Sequence, residues 1–314
     1  MKKILFASTA LVATAGVAAA DVSFGGYGRF GIGYVEDRTV GGTSDTVIVS
    51  RFRLNIDGSA ETDAGVKFSA RVRLQADEDA ASGEANAAGL NGARFSVEYG
   101  GLRVDVGNVA GAIDNLPNYY GNEPGLENFV GQYSGVDYGF LGYSSGGAGS
   151  NGVYARYAVG DFAVAASFDQ APDGGDGDRF DIHAAYTFGN ITAALAYGET
   201  DNGAAEDDDI VVLSLGGSWG AFSGTLLVGD ETIGGNVAAS DTFYGVSAAY
   251  DVSSATTLTF AYGDGSGDAD TRNVGLGVIH DLGGGVSLRG GIGETKAGNA
   301  DGQMRADFGA QFSF

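Results

Sequence analysis

The sequence predicts an all-β protein: a transmembrane antiparallel β-barrel of about 16 strands with a long third loop folded into the lumen. Three observations support this fold class. Apolar and polar residues alternate along short segments, tight turns alternate with long acidic loops, and 56 glycines accompany only three prolines. Alternation with a period of two gives a strand one apolar face. Short turns at one end and longer loops at the other are typical of barrels that cross a membrane.

The first twenty residues have the composition of a processing signal. Lys2 and Lys3 precede an apolar run, and three consecutive alanines stand before Asp21. A basic start, a short apolar run and a small-residue cleavage site are typical of a cleaved secretory signal peptide. We therefore expect residues 1–20 to be removed and residues 21–314 to form a single barrel domain outside the cytoplasm. A retained N-terminal anchor helix is the alternative.

The composition excludes several classes of function. Without Lys2 and Lys3 the formal net charge changes from −23 to −25, which disfavours nucleic acid as a partner. The chain has no cysteine and two histidines, His183 and His280, and it contains neither G-x-S-x-G nor H-E-x-x-H. These absences leave little machinery for catalysis. The sequence therefore predicts a protein that is not an enzyme.

The alternation begins directly after the predicted signal. Along residues 21–34, Val22, Phe24 and Phe30 share one parity, while Tyr27 and Arg29 share the other. The same pattern recurs in fifteen further segments. These are residues 47–60, 66–75, 93–99, 102–106, 153–159, 162–168, 180–188, 191–197, 210–219, 222–228, 242–250, 256–262, 272–280, 286–292 and 304–314.

The connections between these segments alternate in length. The tight turns are 61–65, 100–101, 160–161, 189–190, 220–221, 251–255 and 281–285, and long loops separate them. Nearly half of each predicted strand is polar or glycine, which a sandwich core would not accommodate. A closed sheet of this size encloses a water-filled lumen, so its inner face needs no apolar partner.

The run from Asn108 to Asn151 is the exception among the loops. It contains two of the three prolines and is dense in glycine and aromatic residues. Loops of this length in compact domains are usually functional. We expect residues 108–151 to fold into the barrel and narrow it.

The chain resembles a known family at several stretches. They are DVSFGGYGRFGIGY at 21–34, SRFRLNIDGSAETDAGVKFSARVRLQ at 50–75, GAIDN and NEPG in the long loop, and DFGAQFSF at 307–314. These stretches resemble the trimeric general, non-specific outer-membrane porins, most closely their alphaproteobacterial branch. The resemblance implies sixteen strands, a homotrimer in the bacterial outer membrane, and passive diffusion of small hydrophilic solutes and ions. It also implies contact with lipid and lipopolysaccharide, and recognition of the C-terminal Phe314 by the barrel-assembly machinery.

Two sets of charged residues form the predicted pore constriction. By parity the cations face the lumen on the first three strands and the last; they are Arg29, Arg51, Arg53, Arg71, Arg73, Lys67 and Arg305. The acids lie in the long loop and are Asp114, Glu123, Glu127 and Asp137. Clustered cations repel one another unless acids or water oppose them. Facing rings of opposite charge would set a transverse field, and charged rings tune selectivity in pores.

Alternatives remain at this point. The arginines could instead form salt bridges within the wall, for example Arg51 or Arg53 with Asp57, and Arg94 with Glu98. A substrate-selective channel, for example for a sugar, would use the loop tyrosines Tyr119, Tyr120, Tyr133 and Tyr138. A non-conducting adhesin or scaffold is a further alternative. No cofactor is predicted, although the acidic loops could bind Ca²⁺ loosely, since hard cations prefer carboxylate oxygens.

Overall fold

The computed structural model describes residues 21–38, 44–79, 84–127, 130–139, 143–149, 151–169, 177–201, 206–234, 241–265, 271–298 and 300–314. The predicted signal peptide, 1–20, and much of the acidic external loops lie outside these residues.

The described residues form sixteen long strands. They are β1 (Asp21–Val35), β2 (Thr46–Glu61), β3 (Lys67–Asp79), β4 (Arg94–Tyr99), β5 (Leu102–Gly107), β6 (Gly152–Val159), β7 (Phe162–Asp169), β8 (Arg179–Phe188), β9 (Ile191–Thr200), β10 (Asp208–Trp219), β11 (Phe222–Thr232), β12 (Asp241–Ser253), β13 (Thr256–Gly265), β14 (Arg272–Gly283), β15 (Val286–Lys296) and β16 (Gln303–Ser313). Two short segments, Glu84–Ala85 and Gly89–Leu90, add a few pairings along β3.

The sheet closes on itself. Every long strand pairs antiparallel with its neighbours in sequence, and β1 pairs with both β2 and β16. Arg29 lies opposite Arg51 on one side and Gln311 on the other. Closure leaves no strand edge unpaired, which is the condition for crossing a bilayer with strands. The predicted fold class is thereby confirmed.

Side-chain exposure alternates along the strands as predicted. On β8, Asp181 and His183 are 1% and 3% exposed, whereas Phe180 and Ile182 are 44% and 37% exposed. Large apolar side chains point outward on all sides of the barrel, where lipid would cover them. In the part of the chain that the structure describes, no helix is both long and apolar enough to cross a membrane.

The main buried apolar cluster lies inside the barrel, between the wall and the connection from β5 to β6. The loop contributes Ile113, Leu116, Tyr119 and Tyr138, and the wall contributes Ala185, Ala194, Ala196, Ile210, Val212, Leu227 and Phe243. The third long loop is therefore packed into the lumen, as predicted. We call the described residues from 108 to 149 the inner loop.

Candidate functional site

The inner loop rests on a wall of inward-facing glycines. A Cβ atom on Gly245 would lie 1.8 Å from the carbonyl oxygen of Gln132, and one on Gly277 would lie 2.9 Å from Cα of Pro124. On other strands, Gly31, Gly198, Gly216 and Gly309 lie against side chains of the loop. The largest group of such inward glycines is on β12 to β15 and consists of Gly245, Gly263, Gly265, Gly275, Gly277, Gly291 and Gly293. Any side chain at these positions would push the loop away from the wall. We call this surface on β12 to β15 the glycine seat.

Two carboxylates on different strands of the wall fasten the loop backbone. Asp307 on β16 accepts hydrogen bonds from the backbone N–H groups of Leu126 and Glu127, at 2.9 Å. Glu231 on β11 accepts from the N–H groups of Asp137 and Tyr138, at 2.9 and 2.8 Å. Buried N–H groups need such partners because an unsatisfied donor is costly. Each carboxylate therefore acts as a clamp on two consecutive residues.

Neutral side chains of the wall hold the rest of the loop. Ser167 on β7 accepts from the N–H of Ala112 at 2.8 Å, and Ser247 on β12 accepts from the N–H of Asn122 at 2.7 Å. His183 on β8 lies 2.7 Å from the carbonyl oxygen of Ala112 through Nδ1. The lumen-facing histidine thus has a structural contact with the loop.

Arg29 joins the basic wall to the inner loop. Its Nη1 donates to the carbonyl oxygen of Leu126 at 3.0 Å, and its Nη2 lies 3.5 Å from Oε1 of Glu127. Burial, with a further contribution from the neighbouring carboxylate of Glu78, raises the pKa of Glu127 to about 7, although Arg29 opposes that shift. Glu127 therefore titrates near neutral pH.

Asp114 and Glu123 are tied to tyrosines within the loop. Tyr120 donates its hydroxyl to Asp114, and Tyr133 donates to Oε1 of Glu123 at 2.5 Å. Burial raises the pKa of both carboxyls, while the phenol hydrogen bonds act in the opposite direction. The ring of Tyr133 stacks on that of Tyr119, with centroids 5.6 Å apart. These contacts fix where the two acids point.

Asp137 differs from the other loop acids. Its backbone N–H is held by Glu231, but its side chain is exposed. Partial burial raises the pKa of its carboxyl. Among the described residues, the loop acids make one direct ion pair with the wall cations, between Arg29 and Glu127.

Three predicted wall arginines bind neighbours within the wall. Arg51 pairs with Asp77 on β3, Arg71 pairs with Asp57 at 2.6 and 3.1 Å, and Arg53 donates to Gln75 at 2.5 Å. The guanidinium group of Arg53 also stands 5.1 Å from the ring centroid of Tyr27. Salt bridges within the wall are thus present, but Asp57 pairs with Arg71 rather than with Arg51 or Arg53.

Arg73 reaches from the wall to the inner loop. It donates to Oδ1 of Asn55 at 3.0 Å and to the hydroxyl of Ser145 at 2.9 Å, and it stands 5.5 Å from the ring centroid of Tyr143. Arg73 and Arg29 are therefore the predicted cations that contact the loop directly among the described residues.

Among the described residues, neither Lys67 nor Arg305 forms a hydrogen bond or ion pair with the inner loop. Lys67 is the first residue of β3, exposed beside the tight turn and opposite Glu61 and Glu98. Arg305 lies near the start of β16, opposite Val35. Parity gave the face on which these side chains lie, but parity carries no information about height along the barrel axis.

Several charged residues at this site were not predicted from the sequence. Glu231, Asp307 and Glu78 contact the loop, and Arg289 lies close enough to Arg29 for their charges to interact. Glu78 shares the parity of the apolar face of β3, whereas Glu231, Asp307 and Arg289 are charged residues of inward parity. That parity was the available signal, since inward acids on strands far from the arginines require another partner.

The calcium expectation concerns acidic loops that the structure describes only in part. Within the described residues no group of three His, Asp or Glu side chains is placed to hold a metal ion. Most of the acidic stretches behind the calcium expectation, such as residues 170–176 and 266–270, lie outside the described residues.

Comparison with known proteins places the chain in one family. A family model described as Gram-negative porin matches residues 7–300. A porin of Fuscovulum blasticum is 32% identical over 294 residues, covering 82% of this chain and 99% of that protein. A porin of Rhodobacter capsulatus is 29% identical over 323 residues, covering 94% and 100%. Among solved structures, a mutant of Rh. blastica porin matches with a TM-score of 0.79 and 30% identity, over 94% of this chain and all of that one. The family expected from the sequence is thereby confirmed, and the chain belongs to the Gram-negative porins.

Proposed function

We propose that the selectivity of this channel is set between the inner loop and the arginines of β1 to β3. As a Gram-negative porin the protein is a passive channel of the outer membrane for small hydrophilic solutes and ions, rather than an enzyme. The contact of Arg29 with Leu126 and Glu127 carries the proposal, because it joins the basic wall to the acidic loop at one point.

The electrostatics follow from where the loop rests. The glycine seat and the two clamps hold the loop against the wall formed by the later strands. Arg51, Arg53 and Arg71 lie on β2 and β3, and their side chains remain partly exposed to the lumen. Asp114 and Glu123 are likewise partly exposed on the loop. Opposite charges across a narrow aqueous passage orient dipolar solutes and penalise apolar ones, which must displace ordered water.

The proposal is tested by single-channel recording of the reconstituted protein. Replacing Glu123 and Glu127 together with glutamine removes two loop charges without changing side-chain size. We expect the preference for cations over anions to fall, because the arginines then dominate the passage. The matched control is Asp63→Asn with Asp161→Asn, which removes two charges from exposed tight turns. Equal conductance and selectivity in both double variants would refute the constriction.

The assembly and its surroundings belong to the same proposal. The protein forms a homotrimer in the membrane. Its acidic external loops contact lipopolysaccharide through loosely bound Ca²⁺. The barrel-assembly machinery inserts it into the membrane. An apolar recess of about 380 Å³ on the outer face, lined in part by Val22, Phe68 and Phe95, supports a contact between copies. Cross-linking and mass measurement in detergent test the trimer. Deletion of the exposed Phe314 tests insertion.

Sugar selectivity is a second candidate, favoured by one cavity. A space of about 790 Å³ lies beneath the inner loop, and its lining includes Tyr120, Asn118, Ser218, Ser223 and Thr225. Hydroxyl, amide and aromatic groups together suit a neutral polyol. Saturable block of the ion current by maltose would favour this candidate, whereas a current unaffected by maltose would favour the general, non-specific channel.

A further inference from the structure

A second basic position lies at the external end of the lumen, away from the constriction. Arg305 has inward parity on β16, two residues from Asp307, which clamps the tip of the inner loop. A cavity of about 450 Å³ adjoins it, and its lining includes Asn273, Thr295, Gln303 and Arg305. A solute entering from outside would meet this cavity before reaching the loop.

The cations here have no counterion among the described residues. Nε of Arg305 and Nε of Arg38 are both buried and have no hydrogen-bond partner in that part of the chain. The two guanidinium groups lie close enough for their positive charges to repel each other. Buried donors without acceptors are costly, and a pair of like charges adds to that cost. An anion placed between them would remove both penalties.

The nearby carboxylates already have hydrogen-bond donors or cations of their own beside them. Glu36 accepts from the N–H of Met304 at 3.0 Å, and Glu294 lies 3.5 Å from Arg272. Asp301 also lines the cavity, together with Lys296 of opposite charge. Asp45 accepts from the backbone N–H of Arg38 at 3.1 Å. Among the described residues, no carboxylate forms a salt bridge with the guanidinium group of Arg305 or Arg38.

One lining group points to the class of anion. The side-chain oxygen Oδ1 of Asn273 is buried and accepts no hydrogen bond among the described residues. A ligand that carries a hydroxyl group would satisfy this oxygen, whereas chloride and sulfate have no donor at neutral pH. Monohydrogen phosphate and phosphate monoesters carry acceptor oxygens for guanidinium groups, and each can also carry a hydroxyl that donates.

We propose that Arg305, Arg38 and Asn273 form an entry site for a phosphate group, either inorganic phosphate or a small phosphate monoester. The site concentrates such solutes at a mouth whose overall charge would repel them. It is separate from the constriction, because Arg305 makes no contact with the inner loop among the described hydrogen bonds and ion pairs.

The test uses the full reconstituted channel with inorganic phosphate as the probe. Phosphate replaces chloride stepwise at constant ionic strength, and the current is recorded with phosphate on either side of the membrane. We expect saturable inhibition of the chloride current, with sulfate binding more weakly than phosphate. Loss of a charged hydrogen bond predicts that Arg305→Gln weakens the apparent phosphate affinity about tenfold or more. Asn273→Leu should bring the phosphate affinity close to that of sulfate.

Three further variants make the outcome decisive. Arg156→Gln removes an exposed cation on β6 and should keep the affinity of the unmodified channel. The Glu123 and Glu127 double variant should also keep it, so failure of the constriction proposal stays distinguishable. Arg38→Gln repeats the test if Arg305→Gln does not fold. Inhibition that never saturates, or an affinity unchanged in both arginine variants, would overturn the site. Strong phosphate binding that appears only in Asp301→Asn would also overturn the proposed site, because Asp301 would then be the counterion of the two arginines.

Discussion

The clamp formed by Glu231 allows the anchoring of the inner loop to be tested at a single side chain. Its carboxylate accepts two consecutive backbone N–H groups, from Asp137 and Tyr138, and Glu231 is 3% exposed. Glu231→Ala leaves both donors without that acceptor. Glu231→Gln keeps one oxygen acceptor and turns an amide donor toward the loop. The two variants therefore remove different fractions of the same interaction.

The magnitude follows from the two hydrogen bonds. A hydrogen bond to a charged group contributes about 1.5–3 kcal/mol. Tyr138 keeps its hydroxyl contacts with Asp181 and Thr200, at 3.0 and 3.1 Å, so the segment is loosened rather than released. A net loss of about 3 kcal/mol would raise the population of a displaced segment roughly a hundredfold. We expect alanine to have the larger effect and glutamine an intermediate one.

Single-channel recording measures this population directly. A loop segment that leaves the wall enters the passage, so Glu231→Ala should add rapid closures and noise to the open current. The matched control is Asp230→Ala, which removes the adjacent acid. Asp230 is exposed, and its carboxylate accepts from the hydroxyl of Thr242 at 3.1 Å. If Glu231→Ala and Asp230→Ala gave the same open-channel noise, the carboxylate clamp would not hold the loop.

Three further predictions concern the same loop. Burial raises the pKa of Glu127 to about 7, so its carboxyl becomes neutral as the pH falls through about 7. The preference of the channel for cations should fall over the same pH range. Reversal-potential measurements should show this change in the unmodified channel and not in Glu127→Gln. Gly245→Ala would place a methyl group 1.8 Å from the carbonyl oxygen of Gln132, so conductance and thermal stability should both change. The control Gly25→Ala places its methyl group 3.6 Å from the carbonyl oxygen of Phe314, an ordinary contact, and should change neither. Arg73→Gln should alter channel noise more than Arg71→Gln, because Arg73 contacts Ser145 of the loop while Arg71 pairs within the wall; equal noise would contradict this.

The barrel could be predicted from the sequence because its main signal is local. The alternation along β1 or β8 is visible within a dozen residues, and six of the seven tight turns contain a glycine with positive φ, such as Gly100 or Gly189. The inner loop was also predictable, since its length and composition depart from those of every other connection. Neither inference required knowledge of which strands meet across the barrel.

The pairing of charges could not be predicted, because it depends on register and height. The β2–β3 register places Arg51 opposite Asp77 and Asp57 opposite Arg71, so the alternative pairing of Arg51 or Arg53 with Asp57 does not form. Height explains Lys67, which has the parity of the basic wall but lies at its turn end. The clamp at Asp307 required a contact between residues 180 positions apart, and nothing local in the sequence marks it.

The glycine seat links the composition of the chain to the position of the constriction. A wall that faces only water needs no glycine, because a side chain there costs nothing in space and glycine weakens a strand. Inward glycines on neighbouring strands therefore indicate that another segment of backbone lies against them. In this chain the largest group of such glycines is the glycine seat on β12 to β15, whereas Arg51, Arg53, Arg71 and Arg73 lie on β2 and β3. Pro124, Gln132 and Gly135 of the loop lie against the glycine seat, so we infer that the passage opens toward β2 and β3. The inward residues of these two groups of strands thus determine the side of the lumen on which solutes pass. Substituting a larger residue for Gly245 or Gly277 would displace the loop and therefore move the passage.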